Sequence, residues 1–133
     1  MRLAWIALGG AIGSLARWGL SVWFPTPATS FPWATFGANL SGAFVLGLAG
    51  EAMLIRVVRW RHLRSFLAIG LIGSYTTFSS MAMEGVSLGR LGKGATAIVY
   101  GVATLGLGLA AAIIGMATAR RIWARRRQDG TQG

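Results

Sequence analysis

The side chains with chemistry to offer are few, and they stand in apolar surroundings. Within Gly73-Ser74-Tyr75-Thr76-Thr77-Phe78-Ser79-Ser80, six of eight residues carry a hydroxyl. At membrane depth such a run has two readings. It stays helical, with Ser and Thr bonding back to carbonyls one turn earlier. Alternatively it breaks, freeing carbonyls for a cation and N–H groups for an anion, which hydrocarbon tolerates only where protein or a water-filled path surrounds the break. Glu84, further along the same segment, is a candidate partner for a cation or for Arg17. Thr35 and Asn39 stand four apart, with Ser41 and Gly42 following. The Asn39 amide brings donors and an acceptor that need partners, and it reads either as an interhelical hydrogen bond or as a donor lining a pathway. Gly9, Gly13 and Arg17 share one helical face, where small residues admit a neighbouring helix. Arg17 either snorkels and caps carbonyls or attracts an anion. Tyr100, Thr104, Gly108 and Ala112 form a stripe that suits a packing seam and a pore wall nearly equally.

Other chemistry is excluded. There is no Cys, His62 is the single histidine, and neither a nucleophile–base–orienter set, a phosphate loop nor a metal-ligand spacing is present. The chain reads as a non-enzyme.

The elements that must position these residues are membrane helices. Of 133 residues only 12% are charged and 54% are hydrophobic, against about 25% charged in soluble domains, and the mean hydropathy is +0.59. Crossing a bilayer takes about 20 helical residues, and four segments reach that length: about 3–24, 33–55, 65–88 and 95–119. The first is too long, and too polytopic in its continuation, for a signal peptide. Pro25, Pro27 and Pro32 punctuate the first connector, Arg56–Arg64 form the second and Gly89–Gly94 the third. Residues 120–133 read as a basic, disordered cytoplasmic tail. Residues 1–119 then form one four-span domain, too small to enclose a water-filled lumen alone, so a transport path calls for at least two subunits.

The net charge of +10 in a soluble protein would point to nucleic acid. Here ten of the thirteen basic residues fall on the side of both termini and the second connector, two (Arg90 and Lys93) on the other side, and Arg17 inside a span. That asymmetry is a topology signal that puts both termini in the cytoplasm of a multi-pass protein in the cell membrane, with lipid and not nucleic acid as its surroundings.

Three motifs in order then carry a resemblance. Gly9-Gly10-Ala11-Ile12-Gly13-Ser14-Leu15-Ala16-Arg17 is similar to a first-span G-G-x-x-G-A-x-x-R, with Ser14 in the Ala place. Thr35-Phe36-Gly37-Ala38-Asn39-Leu40-Ser41-Gly42-Ala43-Phe44 is similar to T-x-x-x-N-x-x-G-S/A-F, and Gly73 to Ser79 with Glu84 beyond to G-x-x-T-T-F-S-T-F-x-x-E. Over essentially all of residues 1–119 the chain resembles the Fluc, or CrcB, family of fluoride channels. The resemblance implies an all-α membrane protein of four spans, the third broken near its middle, assembled as an antiparallel dimer with two narrow fluoride pathways. It implies a structural, untransported sodium ion (Na+) at the interface, held by backbone carbonyls that carry over onto Gly73 and Thr76. It places the fluoride pathway at Asn39 and Phe78, with Tyr100 and Thr104. Fluoride is strongly hydrated, so such a site must offer amide and hydroxyl donors and the positive edge of an aromatic ring. The departure is at Ser80 and Met81, where the family usually has Thr and a second Phe; a thioether has no polarised ring edge.

The implied function is passive export of cytoplasmic fluoride, which limits its toxicity. Two other readings stand beside it: a non-conducting partner subunit of a heterodimeric channel, which Met81 favours, and a small four-span multidrug exporter, which would need an acid in the first span where this chain has Arg17. The ten-to-two charge bias bears on the mate. An antiparallel homodimer needs the same chain to insert both ways, so the partner is either a second copy against that bias or a homologous sister subunit with the opposite one.

Overall fold

A computed structural model describes residues 2–55 and 61–129, all of its regular structure helical. Four of its segments are long and apolar enough to span a bilayer, and the protein is an all-helical, multi-pass membrane protein. The spans are α1 (Arg2–Trp23), α2 (Trp33–Ile55), a composite third span and α6 (Gly94–Asp129). The third span comprises α3 (Arg61–Arg64), a π-helical stretch Ser65–Ile72, one turn α4 (Gly73–Tyr75), two extended residues and α5 (Phe78–Arg90).

The connectors follow from local chemistry. The Pro32 carbonyl accepts the Phe36 N–H at 3.0 Å and so opens α2, a place where proline's missing donor costs nothing. At the other turn, Gly92 adopts φ +74°, the left-handed conformation glycine enters without strain. Around it Lys93 N–H reaches the Leu88 carbonyl at 2.8 Å and Gly92 N–H the Gly89 carbonyl at 3.1 Å, the paired bonds of a Schellman stop.

Helix pairing is set by backbone-to-backbone approach at glycines, as expected where lipid tails are as apolar as the side chains. A Cβ on Gly9 would run into the Phe66 carbonyl, one on Gly13 into the Leu71 carbonyl, and one on Gly70 would lie 2.6 Å from the Ile6 carbonyl. These residues weld α1 to the π-helical stretch. In the same way Gly47 lies on the Ala112 backbone and Gly115 on the Phe44 carbonyl, closing α2 on α6. A small apolar cluster of Met81, Leu88 and Tyr100, flanked by Phe31, Phe36 and Ala97, joins α5 to α6.

Two expectations are corrected. Of the disordered tail expected from Arg120, the described part is helix: α6 continues to Asp129, because no Gly or Pro interrupts 116–129 and Ala and Arg favour helix; residues 130–133 lie outside the described residues. The helix of the third span already includes Arg61–Arg64, ahead of the expected start at Ser65. Arg56 and Arg59 of the basic connector lie outside the described residues.

Candidate functional site

The hydroxyl-rich segment breaks. Thr76 (φ −79°, ψ 154°) and Thr77 (φ −151°, ψ 119°) are both extended, separating α4 from α5. Asn39 on α2 meets the break as a peptide would: its Oδ1 accepts the Thr77 N–H at 2.8 Å and its Nδ2 donates to the Thr77 carbonyl at 3.1 Å. Room for this approach comes from Gly42, where a Cβ would collide with the Thr76 methyl and lie 3.2 Å from the Tyr75 ring. Thr77 then caps α5, its Oγ1 accepting the Ser80 N–H at 3.1 Å, the usual N-cap bond.

These bonds decide which carbonyls are left over. In an unbroken α-helix the Gly73 carbonyl takes the Thr77 N–H and the Thr76 carbonyl takes the Ser80 N–H. Here the first N–H is held by Asn39 and the second by the Thr77 hydroxyl. The carbonyls of Gly73, Ser74, Tyr75 and Thr76 all lose their helical donors across the break, while Ile72 keeps its own: its carbonyl accepts the Thr76 N–H and the Thr76 hydroxyl, each at 3.0 Å. Carbonyl oxygens freed in this way are the ligand type that a hard cation takes. One chain supplies part of such a set.

Beside the break lies an open groove of about 520 Å³, lined by Ser14 and Arg17 of α1 and by Gly73, Ser74, Thr76, Thr77, Phe78 and Ser79. The first turn of α5 faces it, so N–H groups and the positive end of a helix dipole meet a guanidinium and hydroxyls. The groove favours negative charge. Phe78 is 72% exposed on this rim.

Glu84, Tyr100 and Thr104 lie elsewhere. Both Glu84 oxygens accept hydroxyls, Oε1 from Thr35 at 2.7 Å and Oε2 from Tyr100 at 2.6 Å. The carboxylate thereby ties α2, α5 and α6 together and is not the partner of Arg17; among the described residues the one ion pair is Arg120–Glu51. Tyr100 is fully buried, its ring edge-on to Phe31 at 5.2 Å. Thr104 donates to the Tyr100 carbonyl at 2.7 Å, so its hydroxyl is engaged within its own helix. Met81 is 8% exposed and packs with Tyr100, turned into the bundle rather than to the rim that Phe78 occupies. The structure thus brings Asn39, Gly73, Thr76, Phe78 and Arg17 around one break, and gathers Glu84, Tyr100, Thr104 and Met81 behind it.

Thr35 as a Glu84 partner and the Ser41–Tyr75 hydroxyl pair at 2.9 Å are positions that sequence reasoning did not assign. The four-residue spacing of Thr35, Asn39 and, one turn on, Gly42–Ala43 was the available signal.

Known proteins resemble this chain in sequence over most of its length. The family model described as CrcB-like protein, Camphor Resistance (CrcB) matches residues 4–116. The fluoride-specific ion channel FluC of Acidobacterium capsulatum is 38% identical over 92% of this chain and 98% of its own length. FluC 1 of Streptomyces coelicolor is 40% identical over 90% of this chain and 78% of its own. FluC of Agrobacterium fabrum is 36% identical over 92% and 99%. With a match of that extent on a four-span chain whose third span breaks at the hydroxyl run, the protein belongs to the CrcB-like family, a class of membrane channels and not of enzymes.

Proposed function

We propose that this protein is a fluoride-specific channel that lets cytoplasmic fluoride leave the cell passively. The observation that carries this reading is the break at Thr76–Thr77. It presents the N-terminus of α5, the Phe78 ring, Ser79 and Arg17 to one groove, a set of donors and positive edges suited to a small, strongly hydrated anion. The named relatives are fluoride-specific channels, which supports the same choice of ion. Asn39 enters as the residue that holds the break open, with one amide hydrogen on the Thr77 carbonyl and the other available to the pathway.

The groove is open on one side, and the freed Gly73 and Thr76 carbonyls form part of a ligand set; both features call for a second subunit. We take it to be antiparallel, with carbonyls from both subunits holding a sodium ion that serves structure and is not transported. The ten-to-two distribution of basic residues supports a cytoplasmic side for both termini of this chain and favours a homologous sister subunit, inserted the other way, as the mate.

Fluoride efflux from liposomes tests the function. The protein with its mate should release fluoride down its gradient, and Phe78→Ile, which keeps bulk but removes the ring quadrupole, should abolish most of the flux while the exposed position leaves assembly intact. Normal flux in folded Phe78→Ile protein refutes the ring-edge role. A sodium gradient should drive no fluoride accumulation; accumulation would mark a cotransporter. Expressed alone, the chain should insert one way and conduct poorly. Terminal tags on both sides of the membrane together with robust flux would instead establish a dual-topology homodimer.

A further inference from the structure

One end of the bundle carries positive charge that the protein itself does not balance. Arg2 at the start of α1 donates to Ser65 at 3.1 Å, the Trp5 and His62 rings lie 6.3 Å apart, and Arg120 of α6 meets Glu51 of α2 at 2.9 Å. These contacts gather the ends of all four spans, and with them Arg64 and Arg121, both exposed. Ten of the thirteen basic residues belong to this end in sequence, yet the whole chain has three acids. Glu84 is engaged with hydroxyls near the break, and Glu51 is already paired, leaving Asp129.

The depth of this surface identifies its counter-charge. At 1.5 Å per residue, the 36 residues of α6 are about 54 Å long, against about 30 Å for the hydrocarbon core. Arg120 and Arg121 therefore emerge where headgroups begin, beside Trp123, a residue type that anchors at that level. The positive-inside rule accounts for which side the charge lies on, but not for what neutralises it.

We propose that this end, with Arg2, Arg64 and Arg121 as its exposed cations, is a binding surface for the headgroups of anionic phospholipids. The protein recruits such lipids around α1, the start of the third span and the emerging part of α6.

Tryptophan quenching by brominated lipids, on the full chain in mixed micelles, tests this. At low salt, brominated phosphatidylglycerol should bind about fivefold more tightly than brominated phosphatidylcholine, the preference expected from about 1 kcal/mol per basic residue near a headgroup. The preference should vanish at about 1 M salt and in the double variant R64Q/R121Q. It should persist in R90Q/K93Q, which alters the opposite end by the same charge. Equal binding of the two lipids at low salt overturns the proposal, as does a preference that survives R64Q/R121Q. Abolition by inorganic phosphate at constant ionic strength would point to a small-anion site, and displacement by a single-stranded oligonucleotide to a nucleic-acid surface; either result overturns it too.

Discussion

The third and fourth spans are built from similar residues and end up opposite in character. Both carry hydroxyls at membrane depth, and in both a threonine bonds back to the carbonyl one turn before it: Thr76 to Ile72 at 3.0 Å, Thr104 to Tyr100 at 2.7 Å and Thr118 to Ile114 at 2.8 Å. Yet α6 runs unbroken for 36 residues while the third span opens at Thr76. Hydroxyl content therefore does not break a membrane helix. What differs is a partner in trans: Asn39 offers Thr77 the donor and the acceptor that its own helix would have supplied, and nothing on α2 does the same for α6. The break is a property of two helices jointly.

The largest effect should come from removing that partner. Asn39→Leu strips both bonds from Thr77, and at about 1–3 kcal/mol for each buried group left unpaired it should either re-form the helix or destabilise the protein by several kcal/mol. The thermal midpoint in detergent together with fluoride flux reads both, and an unchanged midpoint would show that the break stands without α2. Asn39→Asp separates the two bonds: it keeps an acceptor for the Thr77 N–H but turns a second oxygen on the Thr77 carbonyl, and it puts negative charge beside the pathway, so flux should be blocked.

Next comes Gly13→Ala, whose methyl would meet the Leu71 carbonyl and lie 3.1 Å from the Tyr75 nitrogen, backbone atoms that cannot step aside. A loss of about 1–3 kcal/mol is expected from overpacking. Gly106→Ala on α6 meets nothing within 4 Å and should gain up to about 1 kcal/mol in helix propensity; matched losses at the two sites would erase the contrast. A smaller difference should separate Thr77→Val, which removes an N-cap worth about 0.5–2 kcal/mol, from Thr104→Val, whose hydroxyl bonds a carbonyl already inside a helix and whose loss should fall below about 1 kcal/mol. Comparing the two midpoints in one detergent checks the order.

The presence of four spans was legible in the sequence because hydropathy and punctuation agree, and four helices are long and apolar enough to cross a bilayer. The break was legible only as one of two options, since the hydroxyls of 73–80 suit a helix as well as a gap, and the decision rests on Asn39, some forty residues away in the chain. Resemblance singled out Gly73 and Thr76; the hydrogen bonds free these two carbonyls together with those of Ser74 and Tyr75 and do not choose among the four. The π-helical stretch was not legible. Phe66 to Ile72 is a nearly featureless apolar run, and a π-helix is set by what docks on it, here α1 through Gly9 and Gly13. Glu84 illustrates the opposite failure. A lone acid and a lone Arg17 invite pairing on paper, but two hydroxyls that the sequence scatters to positions 35 and 100 satisfy the carboxylate first.

The glycine contacts pair α1 with the third span and α2 with α6, so the partners interleave along the chain instead of following one another. During synthesis neither half can close on a neighbour as it leaves the ribosome. The first helix must wait for the third and the second for the fourth, each meanwhile showing its glycine face to lipid or to the insertion machinery. A nascent chain stopped before Gly94 would hold one finished pair and one orphan helix, with Gly47 left without the Ala112 backbone that covers it.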